Sequence, residues 1–213
     1  MNRRSVSRPD SPTLRERIRS TTAEAILTAA EEVFADQGLH AAHMGEIASR
    51  AGVSVGTLYN HFEDREALLA GLLEARRAEL LSRLDDVLEE ADDLPVTGRL
   101  RALLGAMLAH KRQHRKFLQI LLQGEIGRYE QTFPSACRMP AATMREIVSR
   151  LEKVTRQGVR DGTLRPGVAS LAPVVLMGMV RALAIRDALG GVETEAADQA
   201  EQLLDFFLKG AGA

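Results

Sequence analysis

The stretch Met44–His61, MGEIASRAGVSVGTLYNH, closed by Phe62, reads as two short helices joined by one tight turn, a helix-turn-helix. Ile47, Ala48 and Ala51 put a small apolar stripe on the first helix, Met44–Arg50. Ala48 matters most there, because two helices that cross this closely need a small side chain between them. Gly52 follows as a left-handed stop, a backbone conformation that costs other residues energy. Val53 fills the angle between the helices, and Ser54 is placed to cap the second helix by accepting from a backbone N–H near Thr57. Leu58 and Phe62, at i and i+4, point inward. Val55, Gly56, Thr57, Tyr59, Asn60 and His61 remain to face out.

That outward face is small at its start and then carries hydroxyl, amide and imidazole groups, unlike the salt-bridged face of an ordinary surface helix. Gly56 and Thr57 allow the positive N-terminal end of the helix to approach a phosphate. Tyr59, Asn60 and His61 can reach phosphates or base edges from a helix in the major groove. The plainer alternative is a helical hairpin used only for packing, since the same Ala/Gly/Val spacing serves there too.

AGVSVGTLYNHF, followed by Asp64, Arg65, Glu66 and Leu68, resembles the TetR (tetracycline-repressor-like) family of transcription regulators. Upstream, Ile26, Leu27, Ala29, Ala30, Phe34 and Gly38 extend the resemblance, so that it covers Ser20 to Leu72. It implies an all-α chain with an N-terminal three-helix DNA-binding domain and a C-terminal helical domain for effector binding and dimerisation. It also makes Arg65 a phosphate-contacting residue. The family usually places threonines where this chain has Ala42 and His43, and often lysine or arginine where it has Val55. His43 therefore makes a poorer cap and phosphate contact than threonine. Val55 exchanges an ionic contact for one with a thymine methyl, which predicts a flatter salt dependence. The candidate DNA-binding residues are His43, Ser54, Val55, Gly56, Thr57, Tyr59, Asn60, His61 and Arg65.

N-terminal to the motif, residues 1–19 are rich in arginine (Arg3, Arg4, Arg8, Arg15, Arg17, Arg19), with Pro9 and Pro12 favouring extended chain. They read either as a solvated tail or as a basic arm for the minor groove or backbone, with the later arginines already helical. A first helix is expected from Ser20 to Gln37, stopped by Gly38 and packed across the back of the hairpin. The domains expected are thus the arm, a helix-turn-helix domain over 20–66, and a helical domain over 67–213.

C-terminal to the motif, Asp64 is placed to cap a long helix, Arg65–Glu90, with Leu68, Leu72, Ala75, Leu80, Leu84 and Leu88 inward. Such a helix, shared by both domains, would couple them mechanically. Pro95 breaks the chain, and helices are expected over Arg99–His110, His114–Tyr129, Ala141–Arg160, Leu171–Leu189 and Thr194–Lys209, with a loop at Thr132–Pro140. His110 and His114 stand at metal-ligand spacing. No acidic residue lies between them as in a zinc-hydrolase motif, so packing is the expected role and no metal or other cofactor is assigned. The last two helices are too apolar for a monomer's surface and predict a two-fold homodimer, hence a roughly palindromic double-stranded operator.

Composition agrees with helices: aromatic residues are 4% of the 213, tryptophan is absent, and charged residues make up 27%. The net charge of −1 does not announce a nucleic-acid binder, although whole-chain balance says little when basic residues cluster. One cysteine, Cys137, forms no internal disulfide and fits a reducing cytoplasm. The most apolar run, Leu171–Ile185, contains Arg181 and is too short for a bilayer, so a soluble cytoplasmic protein without a membrane partner is expected. With no phosphate loop, nucleophile elbow or cysteine/histidine cluster, no catalytic residue is assigned and an enzyme is not expected.

The expected function is sequence-specific transcriptional regulation, with repression relieved by a small, partly apolar effector as the default by family analogy. Met107, Gln119, Gln123, Tyr129, Met177 and Arg181 are candidates for the effector pocket, with core packing the favoured role for most of the methionines. The alternative is a ligand-binding helical dimer whose DNA binding is weakened or non-specific, motivated by the missing threonine and lysine.

Overall fold

A computed structural model describes residues 13–115, 118, 141–188 and 194–211, and every regular element among them is an α-helix. The chain divides into two compact units between Leu68 and Leu69. The first contains α1 (Leu14–Gln37), α2 (Met44–Arg50), α3 (Val55–His61) and the opening turn of α4 (Arg65–Glu90).

α1 begins at Leu14, earlier than Ser20, because Thr13 and Glu16 form a reciprocal capping box. The Glu16 carboxylate accepts from the Thr13 N–H at 2.7 Å, and the Thr13 hydroxyl accepts from the Glu16 N–H at 3.3 Å. That bonding holds the Glu16 carboxyl below its ordinary pKa. Residues 14–19 are therefore helical, as expected of the later arginines, and Arg15, Arg17 and Arg19 stand exposed on the first turns of α1. Residues 1–12 lie outside the described part. Ile26, Ala30, Val33 and Phe34 of α1 are buried along with Ile47 and Ala48 of α2 and Leu58 of α3, and α1 packs against α2 as expected.

The second unit carries the rest of α4 with α5 (Val96–Gln113), α6 (Ala141–Arg160), α7 (Leu171–Ala188) and α8 (Ala196–Ala211). α5 starts before the expected Arg99, since Pro95 takes the N-cap position and Val96 is buried, and it continues past His110 to Gln113. α4 turns Leu81, Leu84 and Val87 fully inward, with Leu80 and Leu88 at the margins of the core. Leu84 is thus buried as expected, whereas Leu81 and Val87, outside the expected set, are buried and Leu80 and Leu88 only partly so. α8 starts two residues later than expected, at Ala196. Most of the expected helix His114–Tyr129, the loop Thr132–Pro140, and Leu189 with Gly190–Gly191 lie outside the described residues.

Ion pairs tie this unit together across helices. Arg150 binds Asp85 through two bonds of 2.8 and 2.6 Å, and Arg77 reaches Glu146, both linking α4 to α6. Lys111 meets Asp187 at 2.5 Å, and Arg101 pairs with Glu201. No helix among the described residues is long and apolar enough to cross a membrane.

Candidate nucleic-acid interface

The turn between α2 and α3 follows from local chemistry. Ala51 closes α2, and Gly52 takes φ +69°, the left-handed conformation expected of it. Val53 then donates its N–H back to the Ala48 carbonyl at 3.0 Å. The Ser54 hydroxyl accepts from the Thr57 N–H at 3.0 Å and so caps α3. The hydroxyls of Ser54 and Thr57 also share a hydrogen bond of 2.8 Å.

Most of the predicted residues on α3 face solvent. Val55 is 45% and Tyr59 49% exposed, Gly56 and Asn60 are exposed, and His61 is half-buried with its ring 6.3 Å from that of Phe62. Leu58 is fully buried, while Phe62, expected inward, is only partly so. His43 is exposed at the N-cap of α2 and makes no side-chain cap bond, as the missing threonine implied.

Arg65 has a structural task that its sequence position did not reveal. Its Nη1 donates to the His40 carbonyl at 2.6 Å, pinning the loop that leads into α2 to the start of α4. Asp64 caps α4 as expected, accepting from the Ala67 N–H at 2.7 Å. A second clamp also escaped the sequence reading. Arg50, at the end of α2, binds Asp36 of α1 at 3.0 Å and Glu46 at 3.3 Å, and its hydrogen bond to Asp36 raises the guanidinium pKa further. Gln37 donates to Glu46 at 2.7 Å. These bonds fix the angle of α2 on α1, and through α2 the attitude of α3.

In the second unit, α4 and α5 border a groove of about 790 Å³. Along it α5 presents the small residues Ala102, Gly105, Ala106 and Ala109, and Glu79 of α4 lines it together with His110 and Gln113 of α5. Of the proposed effector residues, Met107 and Met177 are buried in the core and Arg181 is exposed on α7, and none of these lines the groove. Gln119, Gln123 and Tyr129 lie outside the described residues, as does Cys137. Met144 and Met179 also pack against the core, the role favoured for most methionines.

A capped three-helix unit with a short, exposed second motif helix defines the helix-turn-helix class of DNA-reading domains. Residues 26–72 match the model for bacterial regulatory proteins of the tetR family. It is 43% identical over 81 residues to the transcriptional activator FasR of Mycolicibacterium smegmatis, covering 38% of this chain and 36% of that protein. It is 28% identical over 148 residues to the repressor KstR2 of the same organism, covering 66% of each. The chain thus spans little more than a third of the length of FasR. Among solved structures, FadR of Bacillus subtilis in complex with stearoyl-CoA has the same fold, with a TM-score of 0.72 at 20% identity over 88% of this chain and 98% of that one.

Proposed function

We propose that this protein is a sequence-specific DNA-binding transcriptional regulator, a repressor released by a small, partly apolar effector, acting as a homodimer paired through α7 and α8. The observation that carries this reading is the outward face of α3. Val55, Tyr59 and Asn60 are held exposed on a helix whose turn, cap and back are all fixed by hydrogen bonds and core packing. The dimer reading is supported by apolar side chains left in solvent on the last two helices: Leu171, Val174 and Val175 on α7, and Phe206, 74% exposed, on α8. A partly apolar effector is in line with the stearoyl-CoA bound to the B. subtilis FadR structure and the triclosan bound to SmeT, another structural neighbour. An effector acts here by population shift, stabilising a conformation whose two reading helices mismatch the operator.

Fluorescence anisotropy with DNA from upstream of the protein's own gene, against scrambled competitor at two salt concentrations, tests the reading. Tyr59→Ala is expected to lower specific affinity about tenfold, the usual weight of one good contact, without altering the oligomeric state. Arg65→Ala is expected to weaken binding as well, and to lower thermal stability through loss of the bond to His40. Binding that is equally tight to scrambled DNA and disappears with salt would favour the alternative, a ligand-binding dimer with non-specific DNA attraction.

A further inference from the structure

The sequence separates Glu79 from His110 by a helix and a turn, but the fold brings Glu79, His110 and His114 together. One ligand atom from each lies within 4.8 Å of the others, the one such grouping among the described residues. We infer that these three residues form a binding site for a borderline divalent transition-metal ion such as Zn²⁺, Co²⁺ or Ni²⁺, a site independent of whether the protein reads DNA.

The distances support an ion more than a direct contact. His114 Nε2 stands 3.4 Å from both carboxylate oxygens of Glu79, longer than a well-formed hydrogen bond. Two donors each about 2.1 Å from a tetrahedral ion stand about 3.4 Å apart, so this pair already has the separation that shared ligation requires. The longer separations involve His110, whose ring centroid is 4.6 Å from that of His114. Because ligands on one ion are at most about 4.2 Å apart, a modest turn of the half-buried His110 side chain completes the set. Two imidazoles and one carboxylate suit Zn²⁺, Co²⁺ and Ni²⁺ better than Mg²⁺ or Ca²⁺, which prefer all-oxygen sites.

The surroundings are organised around the carboxylate. Gln113 Nε2 donates to Glu79 Oε1 at 3.2 Å, and Arg76 Nη1 lies 3.3 Å from Oε2. Arg76 is largely buried and balances the Glu79 charge in the metal-free protein. It competes with a cation for that charge, so moderate affinity is expected. His114 is 5% exposed, whereas Glu79 and His110 both border the α4–α5 groove. Three protein donors leave a coordination position open on the groove side, available to water or to a donor atom of a bound molecule.

The test is calorimetric titration of the full chain with ZnCl₂, paired with Co²⁺ titration read by visible absorption. One Zn²⁺ per chain is expected, with a cobalt spectrum of low-symmetry nitrogen/oxygen ligation. Glu79→Gln and His110→Gln, which keep side-chain volume, are each expected to lower affinity at least about tenfold while the metal-free protein remains folded. His40→Ala, at an exposed histidine side chain in the other unit, should leave the Zn²⁺ affinity unchanged. Absence of stoichiometric binding by the unmodified chain would overturn the inference, and so would binding that both ligand variants leave intact.

Discussion

Single residues decide whether the reading helix exists at all. α3 has only seven residues, too few to be stable on intrinsic propensity, so its cap and its one fully buried anchor, Leu58, carry disproportionate weight. Ser54→Ala removes the bond to the Thr57 N–H and the hydroxyl pair with it. A loss of about 1 kcal/mol of stability is expected, readable as a lower denaturation midpoint with an unchanged denaturant slope. Gly52, Ser54 and Asp64 were legible in the sequence because each acts on backbone within a few residues of itself. Arg65 and Arg50 were not, since their partners, the His40 carbonyl and Asp36, are placed by the fold rather than by proximity along the chain.

At the scale of elements, the packing of α6 against the start of α5 depends on a missing side chain. A Cβ at Gly158 would lie 2.9 Å from Val96 Cγ1 and 3.0 Å from two atoms of Leu164, both buried residues. Gly158→Ala is therefore expected to destabilise by about 1–2 kcal/mol, the overpacking cost outweighing the gain of about 1 kcal/mol in helix propensity. Gly105→Ala, where a Cβ meets nothing within 4 Å, is expected to stabilise by up to about 1 kcal/mol. Thermal melts of the two variants side by side read the difference. The α4–α6 ion pair gives a pH signature. Hydrogen bonding to Arg150 holds the Asp85 carboxyl below its ordinary value of 3.8, so its contribution is present above that pH and is lost as pH falls through the folded value. Melting temperatures of the wild type and Asp85→Asn are expected to differ at pH 7 and to converge as pH falls below the lowered value, the gap staying small because Asp85 is solvent-accessible. Helix existence was legible here from apolar spacing, but helix starts were not. Thr13 with Glu16 and Pro95 with Val96 extended two helices towards the N-terminus, the first through a capping pattern that the sequence does contain.

For the molecule as a whole, the apolar residues left exposed on α7 and α8 are the strongest reason to expect a partner copy. Val174→Asp combined with Phe206→Asp is expected to shift the elution and scattering mass from dimer to monomer. Operator affinity would fall with it, because a monomer engages only one half-site. A variant that remains dimeric would assign the pairing to other surfaces. By itself, the sequence determined that the described elements are helices and which stretch forms the helix-turn-helix, because helical periodicity, caps and a left-handed glycine are local and act within a turn or two of chain. Only the tertiary structure decided which arginines are fasteners, where Gly158 allows two helices to close, and that Glu79 meets His110 and His114. Those outcomes depend on side chains brought together from distant positions, and their separation in space is set by how the helices pack.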